Sequence, residues 1–392
     1  MRFSSLTACV PGLSVSKCLA TVAATAVTAS LLSPAQAARV YDQENVSLDL
    51  FGHVRTMVVN DGAWYDLTGN SFNETTSYSS ARLGLGARSS IATGLDAIMM
   101  AQWETGVDAN GNEGALNDTE YLFAGLDAWQ YGTLMAGRGD GAYYNVVGAT
   151  DIFTVLDTSA SDYYMLGNQR PAQIMYSLRG LSWDLKFSWL FASEPLGHTP
   201  MTIDHGLAAS ISTKFGDKVT LSYGIDYYKF KYTQAVTPAS HDFFATMMQA
   251  DGYDAATAAE RAAHTSPGGK KEYGASLSYG SLGQGLYAAA VLSATAYDYL
   301  HHHIYTVDTA VNYSFENGVW LSLGYGHKQY ESVKVLSALT LGMGWNITPA
   351  VKVFAEAQFD LDSETAQFYG ADLARTLNWN EDKVAAGLQY SF

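Results

Sequence analysis

The chain has 392 residues, 48% of them hydrophobic, with 22 basic against 38 acidic side chains and a formal charge of −16. That acidity argues against nucleic acid, and no such partner is expected. Two cysteines, Cys9 and Cys18, both near the start, argue against a disulfide-stapled scaffold.

Arg2 and Lys17, an apolar stretch from about Cys18 to Leu32, and then Ser33-Pro-Ala-Gln-Ala37 predict a secretory signal spanning residues 1–37. Cutting after Ala37 leaves 355 residues, no cysteine, and 20 basic against 38 acidic groups, a charge of −18. Beyond it no apolar run approaches the roughly 18–20 residues of a spanning helix. A membrane-crossing form would therefore have to be a closed β-barrel, because hydrocarbon tolerates no unpaired backbone.

From residue 46 onward, segments of about ten residues alternate apolar and polar. They predict sixteen strands, near 46–60, 75–89, 95–106, 118–128, 132–139, 170–178, 181–192, 204–215, 218–231, 272–281, 284–295, 304–315, 318–328, 334–346, 350–361 and 382–392. In 181–191 the apolar face is Leu181, Trp183, Leu185, Phe187, Trp189 and Phe191, against Ser182, Asp184, Lys186 and Ser188. In 351–362, Val351, Val353, Ala355, Ala357, Phe359 and Leu361 oppose Lys352, Glu356, Gln358, Asp360 and Asp362. The chain ends with Val384, Ala386, Leu388, Tyr390 and Phe392 on one face. Alternation alone does not say which face meets water, and a soluble secreted β-protein is the alternative at this point.

The connections alternate in length. Short turns at 215–217, 316–318 and 348–349 intersperse with long polar segments near 61–74, 107–117, 140–169, 193–203, 232–271 and 362–381, the habit of outer-membrane barrels. Sixteen strands enclose a water-filled lumen, and 26 tyrosines suit interfacial girdles. Within 232–271, residues 241–263 read as one helix, with Phe243, Phe244, Met247 and Met248 on it, as a lid, a docking surface for a partner or a packed decoration of an outer loop, of which decoration is favoured.

Other constellations are weak. His301-His-His303, near Asp298, places adjacent imidazoles in different directions, so neither a metal site nor a cofactor is expected. No Gly-x-Ser-x-Gly elbow or spaced triad suggests an enzyme. Trp320 and Phe354 are too scattered for the aromatic ladder of a sugar-selective channel, which is kept as an alternative.

In order along the chain, Leu48-Asp-Leu-Phe-Gly-His53, Ala81-Arg-Leu-Gly-Leu-Gly86, Gln102-Trp-Glu104, Leu122-Phe-Ala-Gly-Leu126, Gly137-Arg-Gly-Asp-Gly141, Gly148-Ala-Thr-Asp151 and Tyr390-Ser-Phe392 resemble the general porins of the Gram-negative outer membrane, enterobacterial type. The resemblance covers roughly residues 46–192 and the last strand. It implies an all-β fold over residues 38–392: a sixteen-stranded antiparallel transmembrane barrel with short periplasmic turns and long extracellular loops. The third long loop, 140–169, would fold inward as a constriction. It also implies a homotrimer embedded in outer-membrane lipid and lipopolysaccharide, passing small hydrophilic solutes and ions through a gap between loop acids and wall bases.

Carried over by position, the wall arginine of the second predicted strand falls at Arg82, sharing a face with Gly84, Gly86 and Arg88. The first strand's lysine falls at His53, on the face of Asp49 and Arg55. The fourth strand's arginine falls at Glu120, inward by parity with Tyr121 and Phe123 outward, a sign reversal that favours cations. On the loop the acid is Asp151. The family's Pro-Glu-Phe-Gly-Gly is replaced by Thr154-Val-Leu-Asp-Thr158, leaving Asp157 to supply a carboxylate. Arg170 is the nearest match for the sixth strand's arginine, and Arg138 completes the expected set. A salt bridge in a loop or at a solvated strand end is the bland alternative for each.

Overall fold

The computed structural model describes residues 37–60, 75–108, 118–156, 160–165, 169–191, 201–232, 238–264 and 268–392. The predicted signal up to Gln36 lies outside them, as does Asp157. Seventeen strands form one sheet. The first nine are β1 (Ala38–Gln43), β2 (Val46–Asn60), β3 (Thr75–Ala92), β4 (Leu95–Asp108), β5 (Asp118–Asp127), β6 (Thr133–Asp140), β7 (Gln169–Arg179), β8 (Trp183–Leu190) and β9 (Met201–Phe215). The rest are β10 (Val219–Tyr232), β11 (Gly269–Ser281), β12 (Gln284–Tyr297), β13 (Ile304–Ser314), β14 (Val319–Tyr330), β15 (Val333–Thr348), β16 (Val351–Asp360) and β17 (Lys383–Ser391).

Each of β2 to β17 pairs antiparallel with the next, and β17 returns to β2 in the register Val384 to Asn60 through Ser391 to His53. The sixteen expected strands thus close into a barrel, which leaves no unpaired edge for lipid to meet. Strand β1 was not expected. It folds back on β2 through Glu44-Asn45 and pairs Ala38 with Leu50 and Gln43 with Val46. Between β17 and β1, Phe392 and Gly52 exchange backbone hydrogen bonds, both 3.0 Å. The β17 side of β2 is therefore paired almost end to end.

The faces sort by chemistry. Leu185, Phe187 and Trp189 of β8 point outward and are exposed, whereas Ser188 is buried against the lumen contents. Exposed Trp129, Tyr131, Phe215, Tyr279, Phe315 and Trp345 ring the short-turn end, where amphipathic aromatics suit a membrane interface. One expected parity fails. Tyr121 and Phe123 face inward, 2% and 5% exposed, and Leu122, 52% exposed, faces out. The cause is a bulge: Tyr121 opposes Gln102 and Thr119 opposes Trp103, so Glu120 has no partner on β4 and faces in together with Tyr121.

The long connections carry helices α1 (Tyr144–Val147), α2 (Asp162–Met165), α3 (Pro238–Ala250), α4 (Ala255–Ala262), α5 (Thr365–Tyr369) and α6 (Ala371–Leu377). The single helix expected over 241–263 is two. The chain turns at Gly252, φ +90°, and Asp254 caps α4 by accepting from the amides of Ala256 (3.1 Å) and Thr257 (3.0 Å). The segment packs against the inner wall at the barrel mouth. Phe244, Met248, Ala258 and Ala262 pack on the inward-facing Leu190, Ile203, Tyr228 and Phe230, and Met247 packs with Phe368, Tyr369 and Leu377 on Tyr330 and Val335. Phe243 and Tyr369 stack at 6.4 Å, so the helices of two loops fill the long-loop mouth from β8 round to β15.

Two outcomes follow. A Cβ on Gly52 would sit 2.3 Å from the Arg82 carbonyl oxygen and 2.9 Å from Phe392, so Gly52→Val is expected to prevent seam closure, read as loss of the fast-migrating folded band in unboiled electrophoresis. Asp254 is held below the usual carboxylate range, first by the Thr257 hydroxyl and then by the Thr257 amide. Its cap therefore contributes above the unfolded-state value of about 3.9 and is lost as pH falls through the lower folded value. Hydrogen exchange at the Ala256 and Thr257 amides should accelerate below that pH, and at neutral pH in Asp254→Ala.

Candidate functional site

The third long loop enters the barrel because the wall is shaped to receive it. Gly224 and Gly274 are cross-strand partners on β10 and β11, and a Cβ on either would collide with Tyr143, at 3.0 Å from its ring and 2.2 Å from its hydroxyl respectively. Into that dent goes α1, with Tyr143, Tyr144, Val146, Val147, Tyr163 and Tyr164 forming a buried cluster. Hydroxyls of the adjoining wall complete the fit. The Ala142 amide donates to Ser188 (3.0 Å), Ser210 donates to the Ala142 carbonyl (2.7 Å), and Asn145 donates to Ser212 (2.6 Å). Burial pushes the Tyr143, Tyr144 and Tyr163 hydroxyls well above their ordinary titration range, so all three stay neutral at physiological pH.

From that anchor the loop crosses to β16 and returns past β13 to β11, fastened on the way by carboxylates. Glu356 on β16 accepts from the consecutive amides of Thr154 (2.6 Å), Val155 (2.8 Å) and Leu156 (2.9 Å). Asp308 on β13 accepts from the Ala160 amide (2.8 Å), and Ser161 donates to Glu272 on β11 (2.5 Å). Bases hold the same segment: Arg55 donates to the Thr154 carbonyl (3.2 Å), Lys352 to the Thr154 hydroxyl (3.2 Å), and Lys328 pairs with Asp162 of α2 (2.7 Å). Val155 and Leu156 rest on Trp320 and Phe354, which do face inward.

The expected site residues separate into groups. Arg82 is buried in an alternating network: its Nε donates to Glu104 (3.0 Å), its guanidinium lies 4.0 Å from Glu120, and Glu104 is 3.6 Å from Arg55. His53 is buried on the same inward face of β2. Arg170 also faces in, with its guanidinium 5.2 Å from the centre of the Tyr228 ring, which Lys270 approaches at 5.5 Å. The Nε and Nη2 atoms of Arg170 find no acceptor among the described residues. Asp151 is 1% exposed and accepts from Tyr144 (2.9 Å), a bond inside the loop.

Two expected bases sit elsewhere. Arg88 is near the short-turn rim, paired with Asp96 (2.5 Å) and Asp127 (2.9 Å), six residues and about 20 Å from Arg82 along the extended strand. Arg138 is the ladder partner of the exposed Leu122, so strand parity puts it on the outer side of the sheet; the kink at Gly137, φ +136°, carries Gly139 and Arg170 to the inner side. The fasteners Glu356, Asp308, Glu272 and Lys328 were not singled out from sequence. Their signal was a charge in mid-strand on the polar face, a place where isolated burial is costly and a partner is required.

Two members of the histidine cluster contact carboxylates. His301 Nδ1 is 2.8 Å from Asp251 and His302 Nδ1 is 2.8 Å from Glu331, and no group of side chains suited to a metal occurs among the described residues.

Comparison with known proteins matches this geometry to a family. A model of Gram-negative porins matches residues 44–392. Outer membrane protein Omp-EA of Erwinia amylovora is 24% identical over 391 residues, covering 91% of this chain and 95% of that protein. Outer membrane porin C of Serratia marcescens is 31% identical over 133 residues, and this match spans about a third of either length, 33% of each. The structure of Salmonella typhi OmpF in complex with daunomycin shares the fold, with a TM-score of 0.67 at 17% identity over 91% of this chain and all of that one.

Removing the Glu356 carboxylate strands three buried amides and is expected to loosen the loop by about 3–5 kcal/mol, the usual effect of breaking a buried charged contact. In Glu356→Ala, hydrogen exchange at residues 154–156 should rise by orders of magnitude while the barrel amides stay protected; unchanged loop protection would show that the fastening lies elsewhere.

Proposed function

Because this chain belongs to the Gram-negative porin family and is an outer-membrane β-barrel, we propose that it is a general diffusion channel, passing small hydrophilic solutes and ions passively and assembling as a homotrimer. One observation carries this reading. The loop fastened across the lumen by Glu356, Asp308 and Glu272 narrows a polar passage, and its described residues bring together no group poised for chemistry. Beneath it lies a cavity of about 860 Å³, open toward the short turns and lined by serine, threonine, asparagine and lysine.

The finer claim is selectivity. Around the loop, eight carboxylates (Glu104, Glu120, Asp151, Asp162, Asp226, Glu272, Asp308, Glu356) face seven bases (Arg55, Arg82, Arg170, Lys270, Lys328, Lys352, Lys383), a balance of −1. Low-dielectric walls focus such a surplus on the permeating ion, which supports a modest cation preference at this level. Arg82 and Glu120 are the residues assigned to the filter here, with Asp151 as the brace that holds its loop to Tyr144.

In planar bilayers the purified protein should open in three equal steps and show a cation-sided reversal potential under a salt gradient. Arg82→Ala should shift that potential further toward cations, because Glu104 and Glu120 lose their neighbour. A folded, heat-modifiable barrel that opens no channels would overturn the reading in favour of an adhesive or enzymatic barrel.

A further inference from the structure

The cavity under the loop differs in sign from the rest of the chain. Its lining includes five bases, Arg179, Lys186, Lys214, Lys218 and Lys352, and two carboxylates, Asp184 and Asp217, a balance of +3 in a protein whose formal charge is −16. Three of the bases stand on consecutive strands, Arg179 on β7, Lys186 on β8 and Lys214 on β9, all on the inward face. Arg179 is tied to Asp184 at 3.5 Å and Lys352 to the loop hydroxyl of Thr154 at 3.2 Å. Lys186 and Lys214 have no ion pair among the described residues; their cross-strand neighbours are Ser177, Ser210 and Thr220. Lys218 lies on the turn after β9, over the Tyr279 ring at 5.8 Å.

The remainder of the lining supplies neutral donors. Eight serines contribute, among them Ser212, Ser222, Ser276 and Ser278, with Asn312 and Gln389 nearby. Serine hydroxyls and amide N–H groups complement the several oxygens of a multivalent anion, and ammonium groups on flexible stems supply charge from more than one side. A volume of about 860 Å³ is in the range that holds a small solute with its water.

The geometry points to a binding site for small hydrophilic solutes carrying two or more oxyanion charges, phosphate esters or polycarboxylates, in the vestibule on the short-turn side, centred on Lys186 and Lys214, with Lys218 at its outer rim. The site deepens the channel reading and rests on it for its biological use, but not for binding itself. It lies in series with the acidic level at the loop, so an anion entering from the turns would be held in the vestibule and not passed rapidly. Because the cavity is open to water, the attraction must weaken as salt is raised toward 1 M, where screening reaches about 3 Å.

Titration calorimetry of the folded, detergent-solubilised protein with inorganic pyrophosphate, and separately with citrate, tests the site whether or not the protein conducts. Binding in the millimolar range or tighter is expected, weakened about tenfold in Lys214→Gln/Lys218→Gln, the size of one lost charge-assisted contact. Lys271→Gln, on the outer face of β11, should leave it unchanged, and maltose should give no heat. Lys214 and Lys218 are exposed, so that variant is expected to fold; Lys186→Gln is the second test, read only where the folded band survives. Pyrophosphate binding with citrate silent narrows the ligand to phosphate chemistry. Equal binding to the wild type and to Lys214→Gln/Lys218→Gln, or none to the folded wild type, overturns the site. In bilayers, pyrophosphate added at the short-turn side should produce brief blocks that shorten in the same variant. Open channels without blocks would overturn the site, whereas absent channels with intact calorimetric binding would overturn the channel reading alone.

Discussion

The constraint on which this structure depends is closure of the ladder. In hydrocarbon a free strand edge exposes a row of amides and carbonyls that nothing can satisfy, so the sheet must return on itself. Here the return is made at one seam, where β17 meets β2 and Phe392 exchanges hydrogen bonds with Gly52. The seam depends on a residue with no side chain, because the space a Cβ would occupy at Gly52 belongs to Arg82 and Phe392. The short β1 then takes up the remainder of the edge of β2.

Closure with alternating side chains creates an interior that is crowded with charge, and that crowding decides how the loop is held. Lys270 sits between Asp226 (3.1 Å) and Glu272 (2.8 Å) with no exposure of any of the three side chains. Such groups do little for net stability compared with an apolar filling, but once present each demands a partner. The loop supplies partners: backbone amides for Glu356 and Asp308, a carboxylate for Lys328, a carbonyl for Arg55. A segment of mostly uncharged residues, 154–156, is thereby fixed in a charged lumen through its main chain.

Strand existence and lipid-facing parity were legible because a barrel strand must alternate over its whole length. Residues 181–191 and 384–392 needed no tertiary information. Parity failed at Tyr121 and Phe123, not at Glu120, because a bulge shifts the count by one without leaving a mark in composition, and the Gly137 kink shifts the count beside Arg138 in the same way. Arg82 and Arg170 could be read as inward, yet their partners could not, since Glu104 is 22 residues from Arg82 and Tyr228 is 58 residues from Arg170 in sequence. The helix break at Gly252 had a local signal in Asp251-Gly252 and Asp254, residues that favour turns and caps over helix interior. The packing of α3 and α4 into the mouth had none, because an apolar helix face looks the same whether it meets a lumen or another loop.

The two ends of the lumen are built on different physics. At the long-loop end, α3, α5 and α6 bring aromatic and methionine side chains against Tyr330, Val335 and Phe230, so space there is filled by packing and the access left depends on how those helices sit. At the short-turn end the connections are too brief to fold inward, and the cavity stays open, wet and lined with hydroxyls and ammonium groups. A solute crossing the barrel therefore meets shape first and charge second, or the reverse, according to its direction. Between the two lies the loop, whose acidic balance is opposite to that of the vestibule beneath it. In the proposed channel, two fixed charge layers of opposite sign in series attract different ions to each, so neither layer alone sets the preference.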